Sequence, residues 1–215
     1  MVGKQKNVLL VWMGVVVAAA GVFDIVANFG DWFELFWFCP LTSAVLSYGL
    51  IRRSPLLVTM CLVAAVPAQS MWILDFILQL SGHGMGRTAE LIGYGPLILS
   101  ASVLTHSLLI PVSLIGVLCL GFHTAALSAV LIYASLISFS TFNFTPVHKN
   151  VNCAFYPCDA IDPGQGYGSY FVFHFMVFWV FIAVISFFTG KFIFRNRLFS
   201  GAGGPSGDKS CLEVN

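Results

Sequence analysis

The sequence predicts an all-α, polytopic membrane protein, a bundle of about six transmembrane helices, and three observations carry this prediction. Hydrophobic residues make up 58% of the 215-residue chain and charged residues only 9%. The mean hydropathy is +0.90, and a soluble fold of this length could not bury so much apolar surface. Basic and acidic gaps alternate between the apolar runs, which is the positive-inside pattern of a multi-pass membrane protein.

Six apolar runs have the length of a spanning helix, which needs roughly 20 residues. They are Val8–Val26, Trp32–Ile51, Pro55–Leu80, Gly95–Leu120, His123–Phe142 and Ser169–Phe194. A cleaved signal peptide is the alternative for the first run, because Lys4, an apolar stretch and the small residues Ala18–Gly21 are also typical of one. We expect a single transmembrane domain over residues 1–199 and a disordered, Gly/Ser-rich cytoplasmic tail over residues 200–215.

The basic residues predict the orientation of the bundle. Lys4 and Lys6 precede the first run, and Arg52 and Arg53 follow the second. The last turn of the sixth run and the residues after it are also basic, with Lys191, Arg195 and Arg197. Both termini are therefore expected in the cytoplasm, and the plasma or cell membrane is the expected location. The net charge of +1 provides no basic field for nucleic acid, so the lipid bilayer is the expected partner.

Polar side chains inside the apolar runs mark the candidate site, because such groups are costly in a membrane and face a bundle interior or a cavity. At 1.5 Å of rise per residue, five of them on four helices lie in the outer half: Cys39, Gln69, Asp75, His106 and His174. Trp72 lies in a stripe with Gln69, and Thr105 shares the face of His106. This distribution predicts a polar cavity in the outer half of the bilayer.

Prolines inside the predicted spans lie close to this set. Pro40 has no N–H, so it leaves the carbonyl of Phe36 without its helical partner, and Pro67 and Pro111 have the same effect in the third and fourth runs. Such kinks are tolerated where neighbours or cavity water satisfy the freed carbonyls.

Several of these polar residues also have a purely structural explanation. Asp75 would pair with Arg87 or cap a helix, His106 would form a hydrogen bond between helices, and Cys39 would pack as a small apolar side chain.

Two cysteines lie in the long loop 143–168. Cys153 and Cys158 are candidates for a disulfide, which is permitted in a loop outside the cytoplasm. With His148 they form H-x4-C-x4-C, which is not a standard zinc spacing, and the chain has no nucleotide-binding or hydrolase motif. We expect no metal and no cofactor.

Three stretches of the chain together resemble a known family. They are Phe38–Leu41, Trp72–Phe76, and His106–Pro111 followed by Asn150–Phe155. The set is similar to a little-characterised family of prokaryotic multi-pass membrane proteins with a W-x-x-D-F helix, an F-H-x-x-x-P helix and an N-x-N-W-x-F loop, in the same order over nearly the whole chain. Thr105 and Cys153 stand where that family has Phe and Trp.

That family in turn resembles the YwaF-type membrane proteins and the androgen-induced intramembrane lipid hydrolases and acyltransferases. Those proteins use an intramembrane Cys or Thr as nucleophile and a His on a later helix as base. By motif, the resemblance implies Cys39 as nucleophile and His106 as base, with a lipid or small-molecule substrate.

The residues leave three functions open. The first is an intramembrane lipid acyl hydrolase or acyltransferase, and the second is a non-enzymatic carrier or scaffold. The third is a thiol-redox protein that uses Cys39 with Cys153 and Cys158, although no C-x-x-C pair supports it.

Overall fold

The computed structural model describes residues 2–28, 32–84, 88–157 and 166–199, and these residues form a bundle of helices. The helices are α1 (Val2–Ala27), α2 (Phe38–Ile51), α3 (Pro55–Leu80), α4 (Ala89–Gly93), α5 (Pro96–Leu120), α6 (Ala126–Phe144), α7 (Tyr167–His174) and α8 (Ala183–Ile193). A π-helical segment, Phe175–Ile182, joins α7 to α8. Short 3-10 segments are Trp32–Phe36, Val147–Lys149, Val151–Cys153 and Arg195–Arg197.

Five helices of the described chain are long and apolar enough to cross a membrane. They are Asn7–Ala27, Pro55–Leu80, Pro96–Leu120, Ala126–Phe144 and Tyr167–Ile193. Large apolar side chains cover their outside, such as Phe192 with 70% and Leu136 with 64% of its surface exposed, which suits contact with lipid. The predicted class, an all-α multi-pass membrane protein, is confirmed.

The second predicted run is divided, which differs from the expectation of about six similar spans. Its 3-10 segment ends at Phe36, and α2 has only 14 residues. Trp37 between them has an extended backbone, with φ −66° and ψ 141°. Pro40 lies in the first turn of α2, where its missing N–H cannot continue a helix back to Phe36. A helix of 14 residues rises only about 21 Å, less than the roughly 30 Å of a hydrocarbon core.

Contacts between helices define the two ends of the bundle. A Cβ on Gly14 of α1 would lie 3.1 Å from the Ser47 carbonyl near the end of α2. Strand β1 (Phe122–His123), which follows α5, pairs in parallel with β2 (Leu198–Phe199). We call this end the tail end, and the opposite end, where α1 finishes and α2 and α5 begin, the loop end. The cytoplasmic position of the tail end stays a prediction.

Small residues allow the helices to approach closely at two levels of the bundle. A Cβ on Gly21 of α1 would come within 2.9 Å of the Ser43 Cβ on α2, and one on Gly116 of α5 within 2.6 Å of Val58 on α3. Such close packing is typical of helices in membranes. The predicted tail over residues 200–215 lies outside the described residues, and the extent of the single predicted domain stays a prediction.

Candidate active site

The structure brings Cys39 and His106 into direct contact. Cys39 lies in the first turn of α2 and His106 near the middle of α5. The Sγ atom of Cys39 is 3.1 Å from Nε2 of His106, across 67 residues of sequence. Both side chains are buried, each with 8% of its surface exposed, and Cys39 is in the thiol form. The contact crosses from one helix to another inside the apolar bundle.

A backbone carbonyl sets the tautomer of the imidazole. Nδ1 of His106 lies 2.7 Å from the carbonyl oxygen of Ser102, one turn earlier on α5. A carbonyl only accepts, so Nδ1 of the neutral ring carries the proton and Nε2 carries the lone pair. The Cys39 thiol therefore donates to Nε2. This is the arrangement in which a histidine can take the proton of a nucleophile.

Helix α3 contributes two more side chains to the pair. The Trp72 indole stacks on the His106 ring, with 3.9 Å between centroids and 20° between planes. The Gln69 amide is fully buried and donates from Nε2 to the Cys39 sulfur at 3.3 Å. Since Trp72 and Gln69 are three residues apart, they share one face of α3. Cys39, Gln69, Trp72 and His106 form what we call the Cys–His cluster.

Asn152 stabilises the break that precedes Cys39. Its Nδ2 donates to the Phe36 carbonyl at 2.7 Å, and its Oδ1 accepts from the Phe38 N–H at 2.9 Å. A third bond runs from Nδ2 to the Thr141 hydroxyl on α6 at 3.1 Å. The carbonyl that Pro40 leaves without a helical partner thus bonds to a side chain from the loop after α6. This anchors the first turn of α2, which carries the thiol.

The loop itself is shaped by Asn150. Its Oδ1 accepts from the N–H groups of Phe155 and Tyr156, and its Nδ2 donates to the Tyr156 carbonyl. Asn150, Asn152 and Cys153 all have left-handed backbones, with φ of 41°, 54° and 54°, a conformation that asparagine tolerates better than most residues. Asn150 therefore holds the conformation of the loop, and Asn152 joins the loop to the helix break before α2.

The described bonds of Asp75 lie at the loop end. Its Oδ2 accepts from both the backbone N–H and the hydroxyl of Thr88, at 2.8 and 3.0 Å. Thr88 precedes α4, so the buried carboxylate ties that short helix to the end of α3. This contact matches the structural alternative, a capping role, while Arg87 lies outside the described residues.

Thr105 and His174 make their described contacts elsewhere. The Thr105 hydroxyl donates to the Ala20 carbonyl on α1 at 3.1 Å, which joins two helices. His174 stacks on Phe178 with 5.3 Å between centroids, and its Nδ1 lies 3.4 Å from the Tyr170 hydroxyl. The assignment of both residues to a cavity wall stays a prediction. Cys153 is disulfide-bonded, but Cys158 lies outside the described residues, so their pairing also stays a prediction.

Two shallow surface grooves of the described residues lie away from the Cys–His cluster. One, of about 430 Å³, is lined by Gln5, Val8, Leu9 and Trp12 on α1. The other, of about 250 Å³, follows α6 from Ser135 to Phe144. The polar cavity expected from the sequence is therefore not among these grooves, and its presence at the cluster stays a prediction.

Sequence reasoning missed the roles of Ser102 and Asn152. The sequence shows that Pro40 leaves a carbonyl without its helical partner and that the long loop holds the Asn152 amide. It does not show that the two groups bond to each other. Comparison with family models, curated proteins and solved structures finds no match to this chain. The function is therefore inferred from the site itself.

Proposed function

We propose that this integral membrane protein catalyses intramembrane acyl transfer, with Cys39 as nucleophile and His106 as base, on an ester of a membrane lipid. The observation that carries the proposal is the 3.1 Å contact between Sγ and Nε2, with Nδ1 held by the Ser102 carbonyl. A thiol beside a neutral imidazole of this tautomer is ready to form a thiolate. The resemblance to intramembrane lipid hydrolases and acyltransferases points to the same two residues.

The reaction proceeds in two balanced steps. His106 Nε2 takes the thiol proton, the Cys39 sulfur attacks the ester carbonyl, and the collapsing intermediate expels the alcohol, which takes its proton from His106. This leaves a thioester on Cys39. Water or another acceptor then loses a proton to His106 and attacks the thioester, and the released thiolate recovers that proton.

Two other groups support the chemistry. The Gln69 Nε2 donor, 3.3 Å from the sulfur, is suited to the oxygen of the tetrahedral intermediate, because preorganised donors act strongly in a low-dielectric site. The Trp72 stack and the Ser102 bond hold the imidazole in one orientation, as a general base requires. A lipid ester is the favoured substrate because it reaches a buried site from the bilayer.

The decisive experiment is detection of the acyl-enzyme. Purified protein in lipid nanodiscs is incubated with lipid esters, and intact mass measurement follows a hydroxylamine-sensitive adduct. We expect the adduct on the native protein and its loss in Cys39→Ala. Cys39→Ser and His106→Ala should each remove most ester turnover, because one replaces the nucleophile and the other removes its base.

Cys61→Ala is the matched control. Cys61 is also a buried thiol, but its sulfur faces the Thr42 carbonyl at 3.9 Å instead of an imidazole. We expect this variant to keep both adduct and turnover. An adduct that persists in Cys39→Ala, or native turnover in His106→Ala, would contradict the proposal.

A second candidate is a non-enzymatic carrier or scaffold. It is favoured by the burial of Cys39, Gln69 and His106 and by the position of two described surface grooves outside the Cys–His cluster. In that case the thiol–imidazole bond only stabilises helix packing. Cys39→Ala and His106→Ala would then each lower the free energy of unfolding, and no ester would give an adduct with any form of the protein.

A further inference from the structure

The position of Asp24 in the fold disfavours a carboxylate. It lies in the last turn of α1 with only 7% of its surface exposed. The end of a helix has negative potential, which disfavours a carboxylate, and buried acids are costly in a membrane. Within the described residues its carboxylate accepts one bond, from Asn28 Nδ2 to Oδ1 at a long 3.4 Å, and Oδ2 accepts none.

Two contacts of α1 show which helices Asp24 faces. The Ala20 carbonyl accepts from Thr105 on α5 at 3.1 Å, and a Cβ on Gly21 would lie 2.9 Å from the Ser43 Cβ on α2. Asp24 is four residues beyond Ala20 and three beyond Gly21, so it shares their face. It therefore lies at the seam between α2 and α5, about one turn nearer the loop end.

The thiol–imidazole contact joins the same two helices, and the thiol lies at about the depth of Asp24. Cys39 is four residues nearer the loop end than Ser43, and Asp24 is three residues nearer than Gly21. At 1.5 Å per residue, the depths of Cys39 and Asp24 differ by only about 1.5 Å. His106 directly follows the α5 residue that contacts α1. A carboxylate whose Oδ2 accepts no bond from the described residues thus lies at about the depth of the thiol, on the helix that packs against both α2 and α5.

We propose that Asp24 binds the primary ammonium group of an acyl acceptor, so that the protein transfers an acyl group to an amine. The inference depends on the proposed function for the thioester. The carboxylate and the last carbonyls of α1 both favour a cation, and burial strengthens this preference over neutral acceptors. In a donor lipid ester, the headgroup lies nearer the membrane surface than the ester carbonyl that reacts with Cys39. Asp24 is level with the thiol, so it suits the acceptor amine better than the headgroup of the donor.

Amide formation from the thioester and the bound ammonium group requires no further reactant. Bound R–NH3⁺ gives one proton to the Asp24 carboxylate, and the free amine attacks the thioester carbonyl on Cys39. The C–S bond breaks, an amide forms, and the second amine proton returns through His106 to the thiolate. Asp24 then releases its proton to solvent, which restores the starting state.

The test measures amide and free fatty acid together. Native protein in nanodiscs receives a lipid ester as donor, with either phosphatidylethanolamine or phosphatidylglycerol present as acceptor lipid. We expect N-acylated product only with the primary amine. In Asp24→Asn the amide-to-acid ratio should fall about tenfold or more, the scale for loss of a hydrogen bond to a charged group, while fatty acid release persists. Asn143→Ala, which changes an exposed amide bonded only within its own turn of α6, should keep the ratio.

Stability and binding give readouts that are independent of turnover. Asp24→Asn should unfold at an equal or higher temperature than the native protein, because it removes an unfavourable charge. In Cys39→Ala, which cannot form the thioester, short-chain phosphatidylethanolamine should raise the unfolding temperature more than phosphatidylglycerol does, and Asp24→Asn should abolish the difference.

The outcomes separate the two proposals. An unchanged ratio in Asp24→Asn, a parallel fall of both products, or a clear loss of stability would each overturn the role of Asp24. If no ester reacts but the Asp24-dependent stabilisation by the amine lipid remains, the acyl-transfer function fails and the cation site stands. If neither occurs, both fail.

Discussion

Asn152→Ala tests whether the loop after α6 stabilises the helix break that carries Cys39. The substitution removes bonds to the Phe36 carbonyl, the Phe38 N–H and the Thr141 hydroxyl. Because Pro40 has no N–H, the Phe36 carbonyl has no helical donor in reserve. Two backbone groups would then lack partners in an apolar setting.

The expected loss follows from the number of bonds. Hydrogen bonds between helices in membranes contribute about 0.6 kcal/mol on average and up to about 1.7 kcal/mol. A buried backbone group left unsatisfied costs about 1–3 kcal/mol. Because the three bonds are only partly buried, the lower part of these ranges applies, and the expected loss in the free energy of unfolding is about 2–4 kcal/mol.

The assay is reversible unfolding by SDS in mixed micelles, followed by circular dichroism. Asn143→Ala is the matched control, because Asn143 donates to the Phe139 carbonyl at 2.7 Å within its own exposed turn. Its loss should be below about 0.5 kcal/mol, as for most surface changes. Equal losses in the two variants would refute the reasoning.

A double-mutant cycle isolates the cause. Pro40→Ala restores an N–H that can continue the helix back to Phe36. In that background Asn152→Ala should cost about 1 kcal/mol less than in the native protein, since one of its bonds has a substitute. Strict additivity would show that the freed carbonyl is not what Asn152 satisfies.

Three further changes test other contacts and one partly buried imidazole of the fold. Thr105→Val removes the bond to the Ala20 carbonyl and should lower the free energy of unfolding by about 0.5–1.5 kcal/mol, while leaving alkylation of the cluster thiol unchanged. Gly116→Ala places a Cβ 2.6 Å from Val58 and should cost about 1–3 kcal/mol by overpacking, measured in the same unfolding assay. Burial lowers the pKa of His123, so the fold favours the neutral imidazole. The stability that this provides is present above the ordinary pKa of about 6.5 and is lost as the pH falls below it. His123→Gln should reduce that loss in unfolding curves taken between pH 7 and pH 5.

The apolar runs were predictable because lipid imposes a simple requirement on them. Each backbone N–H and C=O must bond within its own helix when no water is present, so long apolar runs such as Pro55–Leu80 become helices irrespective of their neighbours. The division of the second run was predictable in part, since Pro40 removes an N–H that a continuous helix needs. Its full consequence, a short α2, required knowing that another group satisfies the Phe36 carbonyl.

From the residues themselves, the contact between Cys39 and His106 was predictable as a match of depth, and the family resemblance named the same pair. Counting residues from a membrane surface gives the height of a side chain, because the rise per residue is constant. It does not give the rotation of each helix about its axis or the choice of neighbouring helix. Thr105, which borders His106, illustrates the difference, because its hydroxyl bonds to α1.

The sequence by itself determined the class of protein, the main helices and the depths at which polar side chains lie, since these depend on hydropathy and local geometry. Only the tertiary structure decided the partners: Trp72 over the imidazole, Thr88 on Asp75, and Asn152 at the helix break, 116 residues from Phe36. The physical reason is that such hydrogen bonds and ring contacts are directional and short. They depend on how whole helices pack, which no single stretch of sequence encodes.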